Sequence, residues 1–297
     1  MPRAQVRFLP DGRRLYLQDG PIDLIVEAFG SPDQMRIAYR SASERFVDVL
    51  DELCRELSLL RREPSVEGRP IGIVAQRMVD AVTPYWPSTF ITPMAAVAGA
   101  VAEEVLYTMT SAAALEKAYV NDGGDIAIHL GDGQQFVVGM VERPDRPSLF
   151  GTGTIAADQP VRGIATSGWR GRSFSLGIAD AVTVLADTAA VADAAATMIA
   201  NAVDLPGHPG VKRVRACDLA SDNDLGERLV TQHVAPLVDD EIAAALSAGE
   251  EFARSLLPRG LIRAAALHLQ GQTRLVSDTL QLEMAPVLST KRGLVHA

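Results

Sequence analysis

Three short segments carry residue types whose spacing could do chemistry. In the run Ala189-Ala190-Val191-Ala192-Asp193-Ala194-Ala195-Ala196-Thr197, a carboxylate and a hydroxyl stand four residues apart. On a helix both oxygens project from one face. Hard oxygen donors of that kind suit Mg²⁺, which takes a few protein ligands and fills its shell with water and substrate phosphate. Spacing alone is met more often by a capping or solvated carboxylate beside a packed threonine. The second segment is Asn121-Asp122-Gly123-Gly124-Asp125, where paired glycines before a strand would let backbone N–H groups approach a ligand. An ordinary tight turn has the same composition. The third, Ala165-Thr166-Ser167-Gly168-Trp169-Arg170-Gly171-Arg172, gathers hydroxyls, glycines, an indole and two guanidiniums within eight residues. Arginine forks match phosphate oxygens and an indole can stack on a ring. A polar surface loop reads the same way.

Other chemistries find little support. The five histidines, at 129, 208, 233, 268 and 296, are scattered without metal-site spacing, and His129 and His268 fall in strand-like runs. No GxSxG or P-loop occurs, nor a GxGxxG between a strand and a helix. Gly151-Thr152-Gly153-Thr154 is too short for a nucleotide loop, and Asp222-Asn223-Asp224 reads as a helix N-cap cluster rather than a calcium loop. Two cysteines cannot build a structural zinc site, and Cys54 falls on the apolar stripe of an expected helix. A formal net charge of −9 disfavours nucleic acid and anionic lipid as general partners. A small anionic ligand can still be met by a local pocket of opposite sign. The first residues contain no apolar core of a signal peptide, and no apolar run approaches the ~20 residues of a membrane span. The expected compartment is the cytoplasm, and the commonest assembly would be a homodimer.

The elements that must position these segments follow from periodicity and turn residues. Pro10-Asp11-Gly12 and Asp19-Gly20-Pro21 separate three expected strands, Val6–Leu9, Leu15–Gln18 and Asp23–Phe29. Apolar residues at three- and four-residue steps predict a long helix over Pro32–Arg61, and a shorter one follows over Pro70–Val82. A small-residue helix is expected over Met94–Tyr107 and a strand near Tyr119. Ile126–Leu130 and Gln135–Val141 read as a hairpin, followed by strands at Gly163–Thr166 and Ala181–Leu185. A second small-residue helix is expected over Ala189–Ala202 and a strand over Val211–Ala216. Helices then follow over Leu225–Val234 and Asp239–Leu257, and a closing hairpin turns at Gln270-Gly271. The alanine-rich runs at 95–103 and 189–197 echo each other, which admits an internal duplication. The chain is expected to form one unit over 1–297. Its parts are an N-terminal hairpin and long helix (1–88), a motif-bearing core (89–205), and C-terminal helices with a hairpin (206–297).

Taken in order, the segments resemble the ApbE superfamily, whose best-known members are FAD:protein FMN transferases. Gly123-Gly124-Asp125 looks like its GGD and Ala165–Gly168 like its ATSG. Val182-Thr183-Val184 with Ala192–Thr197 looks like its VTV…ADAxAT run, and Thr92–Ala100 stands where its DLGAIAKG helix start falls. The likeness covers about 115 residues, and the whole chain is nearer a compact branch than the transferases themselves. The resemblance implies an α+β fold of antiparallel sheets flanked by helices, T-fold-like. It implies Mg²⁺ on Asp193, Thr197 and a backbone carbonyl near Ala96, and a site lined by Gly123, Gly124, Asp125, Thr166, Ser167, Gly168 and Arg170. FAD is the implied ligand and a threonine of an acceptor protein the implied destination of FMN, with Asp193 and Asp180 as the catalytic carboxylates. Three features depart from the pattern. Gly99 replaces the family lysine, Gly177-Ile178-Ala179-Asp180 contracts the HIIDPRTG segment and removes its histidine, and no secretion signal is evident. Two other readings stay open: a metal-assisted hydrolase of a small cytoplasmic metabolite with Asp180 or Asp125 as base, and a non-catalytic flavin binder.

Overall fold

The computed structural model describes residues 3–65, 68–141, 149–277, 282–283 and 294–296. Fifteen strands and seven helices are assigned among them. The strands β1 (Gln5–Phe8), β2 (Leu15–Asp19) and β3 (Ile22–Phe29) open the chain, and α1 (Pro32–Arg55), α2 (Leu57–Leu60) and α3 (Ile73–Val82) follow. A 3₁₀ turn over Pro93–Ala96 leads into α4 (Val97–Ala112). Then come β4 (Lys117–Asp122), β5 (Asp125–Leu130), β6 (Gln135–Val141), β7 (Leu149–Ala156), β8 (Gly163–Ser167), β9 (Ala181–Ala186) and α5 (Ala189–Ala202). The last third holds β10 (Val211–Arg215), α6 (Ala216–Leu219), β11 (Leu229–Val234), α7 (Asp239–Leu256), β12 (Ala264–Leu269), β13 (Gln272–Ser277), β14 (Leu282–Glu283) and β15 (Leu294–His296).

The strands β1-β2-β3-β4-β5-β8-β9-β12-β13, in that order, form one antiparallel sheet. The fold is thus α+β, antiparallel and flanked by helices. Within the large sheet, two strands, helices and two strands follow one another over β2–β5 and again over β8, β9, β12 and β13, the second time with the separate β10–β11 pair inserted. That likeness of connectivity is not by itself evidence of an internal duplication. On one face of the sheet, α1, α4, α5 and α7 bury a core that includes Phe46, Met78, Met109 and Ile199. On the other, Tyr119, Ile126, Phe136, Ile155 and Ile164 pack the small sheet of β6 and β7 against the large one.

Local chemistry explains the boundaries. Asp11 Oδ1 accepts from the backbone N–H groups of Arg13 and Arg14 and so closes the first turn. Ser31 caps α1, with Pro32 in its first turn. The apolar stripe of α1 runs through Ala38, Ala42, Phe46, Val49 and Leu53, and the helix ends at Arg55 before resuming at Leu57. Cys54 is exposed, one residue off that stripe, which corrects its expected burial.

Two further expectations fail. The strands β5 and β6 do not pair. Both edges of β5 are occupied, by β4 through the Gly123-Gly124 turn and by β8 through Ile126 and Ile164, so β6 pairs with β7 instead. The expected helix over Leu225–Val234 is a turn followed by the strand β11, paired with β10. Val230 and Thr231 are buried there, and the Thr231 hydroxyl donates to the Gly177 carbonyl at 2.7 Å. β-branched residues fit a pleated, half-buried surface better than a helix.

Candidate functional site

The small-residue helices decide where the cleft opens. α4 and α5 lie side by side, and at Gly99 a Cβ would overlap the carbonyl of Ala189. The Gly99 N–H instead donates to Asp193 Oδ2 at 3.0 Å, so the helix contact also holds a carboxylate. α5 is anchored at its start by Thr188, which caps it, and by Glu103, which accepts from the Ala190 N–H. Within α5 most residues are buried, yet Asp193, Thr197 and Asn201 remain half-exposed, and all three line one cavity of about 660 Å³.

Four other stretches close around that stripe. The 3₁₀ turn before α4 contributes Met94 and Ala95, the start of α4 contributes Val97 and Ala98, and the β4–β5 turn contributes Asp122, Gly123 and Asp125. The end of β8 with its following loop contributes Thr166, Ser167, Gly168, Arg170 and Arg172–Phe174, and Asp224 with Leu225 forms another part of the wall. The three segments picked out by residue type, far apart in sequence, therefore meet in one place.

Individual residues divide. Gly123 lines the cavity with φ +65°, while Gly124 lies outside the lining and its N–H is spent on Asn121 Oδ1 at 2.8 Å. Asp125 Oδ1 accepts from the Thr166 N–H at 3.2 Å, tying the two glycine-bearing turns together. The Thr166 and Thr183 hydroxyls share a 2.9 Å hydrogen bond. Ala96 is fully buried and does not line the cavity, although its neighbours do.

Asp180, expected to be catalytic, is also outside the lining. Its carboxylate accepts from Trp169 Nε1 at 3.2 Å, Arg170 Nε at 2.6 Å and the Gln270 N–H at 2.7 Å. It is a structural staple between the 168–170 loop and the β12–β13 turn. Arg170 borders the cavity with its charge committed to Asp180 and its guanidinium stacked 4.2 Å above the Trp169 ring. The less committed cation is Arg172. It is 65% exposed, lies 3.9 Å from Asp122 Oδ1, and occupies the space that a Cβ on residue 123 would fill.

Sequence reasoning quoted Asp122 and Asp224 without placing either in the site, and it missed Asn201. The signal for Asn201 was present, since Asp193, Thr197 and Asn201 are the polar residues of an otherwise apolar helix, each four apart. Asp224 sits in a turn where Asn223 Oδ1 accepts from the N–H groups of Leu225 and Gly226, and it pairs with the Thr92 hydroxyl. The Asp222–Asp224 cluster caps no helix.

The cleft is acidic and poorly neutralised. Loss of water contact, then the nearby charge of Asp125, pushes the Asp122 carboxyl up to about 8. Asp193 is pushed up to about 7 by the same desolvation, against the lowering effect of the Gly99 N–H and with a further push from Asp122. Asp125 is raised by burial and by the charge of Asp193. Carboxylates that resist ionising beside one another favour a cation among them. The donor set, carboxylates with the Thr197 hydroxyl, fits a magnesium-like ion. Among the described residues no three His, Cys, Asp or Glu side chains converge as a ready chelate. Such an ion would draw only a few ligands from the protein, as Mg²⁺ usually does. Asp193 and Thr197, on one helix face, are the residues placed to supply them.

The fold and cleft are those of an antiparallel α+β protein with glycine turns and a polar helical stripe around an acidic site. A family model described as AbpE bacteria matches residues 6–275, and the chain belongs to that family. Its relatives include a UPF0280 protein of Methanopyrus kandleri, 37% identical over 160 residues, which cover 53% of this chain and 59% of that protein. A UPF0280 protein of Methanococcoides burtonii is 40% identical over 126 residues, covering 42% and 51%. The chain thus spans between half and three-fifths of these relatives' length. Among solved structures, flavinyl transferase ApbE of Pseudomonas stutzeri aligns at 12% identity and TM-score 0.41, covering 94% of this chain and 93% of that one. A point mutant of flavin transferase ApbE from Vibrio cholerae aligns at 12% and 0.37, covering 93% and 97%. No helix among the described residues is long and apolar enough to cross a membrane.

Proposed function

We propose that this chain is a Mg²⁺-dependent ApbE-like enzyme that takes FAD or a related phosphorylated ligand into the cleft and transfers FMN to a protein threonine. The observation that carries this reading is the convergence of Asp193, Thr197, Gly123, Thr166, Ser167 and Gly168 on one acidic cavity in a member of the family. A bound divalent ion would supply charge neutralisation at the pyrophosphate. Asp193 and Thr197 would hold that ion, and the Gly99 N–H fixes the carboxylate in place. The glycine turn at 123 lets phosphate oxygens approach the backbone, and Arg172 leaves Asp122 to pair with them. The acceptor hydroxyl oxygen attacks the FMN phosphorus, and the bond from that phosphorus to the oxygen of AMP breaks. Asp122, which lines the cavity, takes the hydroxyl proton in its ionised form, a form that gains population as pH rises toward 8.

The structure gives a physical reason for one departure from the family pattern. A lysine at 99 would need space already filled by the Ala189 backbone, and in this reading Arg172 supplies a cation from the opposite wall. The hydrolase reading keeps only Asp125 as its base, because Asp180 is committed elsewhere. Isothermal titration with FAD, with and without Mg²⁺, and assay of the mixture for AMP tests the proposal. Mg²⁺-dependent binding with AMP release, increased by a threonine-bearing acceptor, is the expected result. Silence under both conditions removes the flavin reading, and tight Mg²⁺-independent binding without AMP replaces the enzyme with a binder.

A further inference from the structure

The polar stripe of α5 does not stop at the two residues placed for metal. Asn201 stands one further turn along, and its amide is oriented by the protein. Its Oδ1 accepts from the Leu176 N–H at 2.9 Å and from the Ser175 hydroxyl at 3.4 Å. A backbone N–H can only donate, so the oxygen must face Leu176, and the Nδ2 amino group is turned the other way. That amino group donates to no atom among the described residues, and Asn201 lines the cavity. The backbone that holds it cannot drift easily. Ile178 N–H donates to the Val203 carbonyl at 2.8 Å, and at Gly177 a Cβ would overlap the carbonyl of Ala200. Eight residues of helix separate Asn201 from Asp193, roughly 12 Å at the usual rise. That is too far for both to serve one phosphate. Phe174, 36% exposed, lines the same cavity two residues from the Leu176 contact.

We infer that Asn201 is a specificity-determining residue whose fixed amide donor reads an acceptor on the heteroaromatic ring of the phosphorylated ligand, with Phe174 as an apolar wall for that ring. The inference rests on the proposed function, and it names the part of the ligand that the end of the cleft away from Asp193 recognises. A carbonyl or ring nitrogen of a flavin or of an adenine offers the same acceptor chemistry, and the choice of probe separates them.

The test is titration of the full chain with FMN, ADP and inorganic pyrophosphate, each with Mg²⁺, in wild type, Asn201→Asp, Asn201→Ala and Phe174→Ala. Asn201→Asp keeps the acceptor for Leu176, removes the donor and adds a charge; melting curves check that folding is preserved. Loss of one hydrogen-bond donor should weaken the ring-bearing probe by about tenfold in both Asn201 variants. Pyrophosphate, which has no ring, should shift by no more than about twofold; that arm also reports any repulsion from the new carboxylate. Phe174→Ala should weaken the same ring-bearing probe. Selective loss of FMN identifies the flavin ring as the ligand's recognised end, and selective loss of ADP identifies adenine. Unchanged affinity for FMN and ADP in folded variants overturns the role of Asn201 and leaves the metal-phosphate reading standing. If wild type binds none of the three probes, both readings fall together.

Discussion

Asp193 and Asp122 put opposite demands on this protein. Both are costly to ionise in the metal-free cleft, and Asp193 is the side chain best placed to hold a cation. Replacing Asp193 with Asn keeps the Gly99 contact available while removing the charge. It should abolish the Mg²⁺ dependence of ligand binding and leave the melting temperature within a few degrees of wild type, measured by titration and calorimetry. For Asp122 the folded-state value of about 8 stands above the usual carboxylate value of 3.8. Between those two values the folded chain keeps a proton that the unfolded chain has released, so stability is greater at low pH and falls as pH rises through the window. Asp122→Asn should therefore stabilise the metal-free protein at pH 8, by roughly 1–3 kcal/mol, and have little effect at pH 4. Equal effects at both pH values would show that the carboxyl titrates normally. The two arginines carry a related lesson. Residue type pointed to Arg170, but Asp180 already holds it, and Arg172 is the cation left beside Asp122.

At the scale of elements, the contact between α4 and α5 does two jobs through one glycine. Any side chain at 99 must push the helices apart, and the N–H that orients Asp193 moves with it. Gly99→Ala should cost about 1–3 kcal/mol by overpacking, seen as a lower melting temperature. It should also weaken Mg²⁺-dependent binding in the surviving folded fraction. A stability loss with unchanged metal dependence would separate the packing role from the positioning role. Gly163 repeats the device where β8 passes the start of α5, since a Cβ there would overlap the Thr188 carbonyl. Close approach of this kind lets α5 sit low enough on β8 and β9 for Asp193 and Thr197 to reach the Thr166–Gly168 end of the strand.

For the whole molecule, the proposed cation would compete with the proton for the Asp193 carboxyl. With Asp193 pushed up to about 7, cation affinity should strengthen as pH rises from 5 to 7, by up to about tenfold per unit for the one proton displaced, and level off above that. Thermal-shift titrations with Mg²⁺ or Mn²⁺ across that range check the sign. At saturation a hundred times the dissociation constant, the ion should add about 2.7 kcal/mol to stability. An affinity independent of pH would mean that the cleft carboxylates are not the ligands.

The sequence by itself determined the α+β class, the amphipathic first helix and the order of the chemically equipped segments. Local periodicity and turn chemistry act over a few residues and can be read one residue at a time. It also held the stripe of Asp193, Thr197 and Asn201, legible as the polar residues of an apolar helix, although only the first two were read from it. Tertiary structure alone decided which strands were neighbours, and so overturned the β5–β6 hairpin and the helix over 225–234. Edge occupancy and burial depend on partners distant in sequence. It likewise tied Asp180 to Trp169, Arg170 and the Gln270 N–H and brought Asp122, Arg172 and Asp224 to the cavity wall, because the partner a carboxylate or guanidinium takes is set by distance. That distance exists only once the chain has folded.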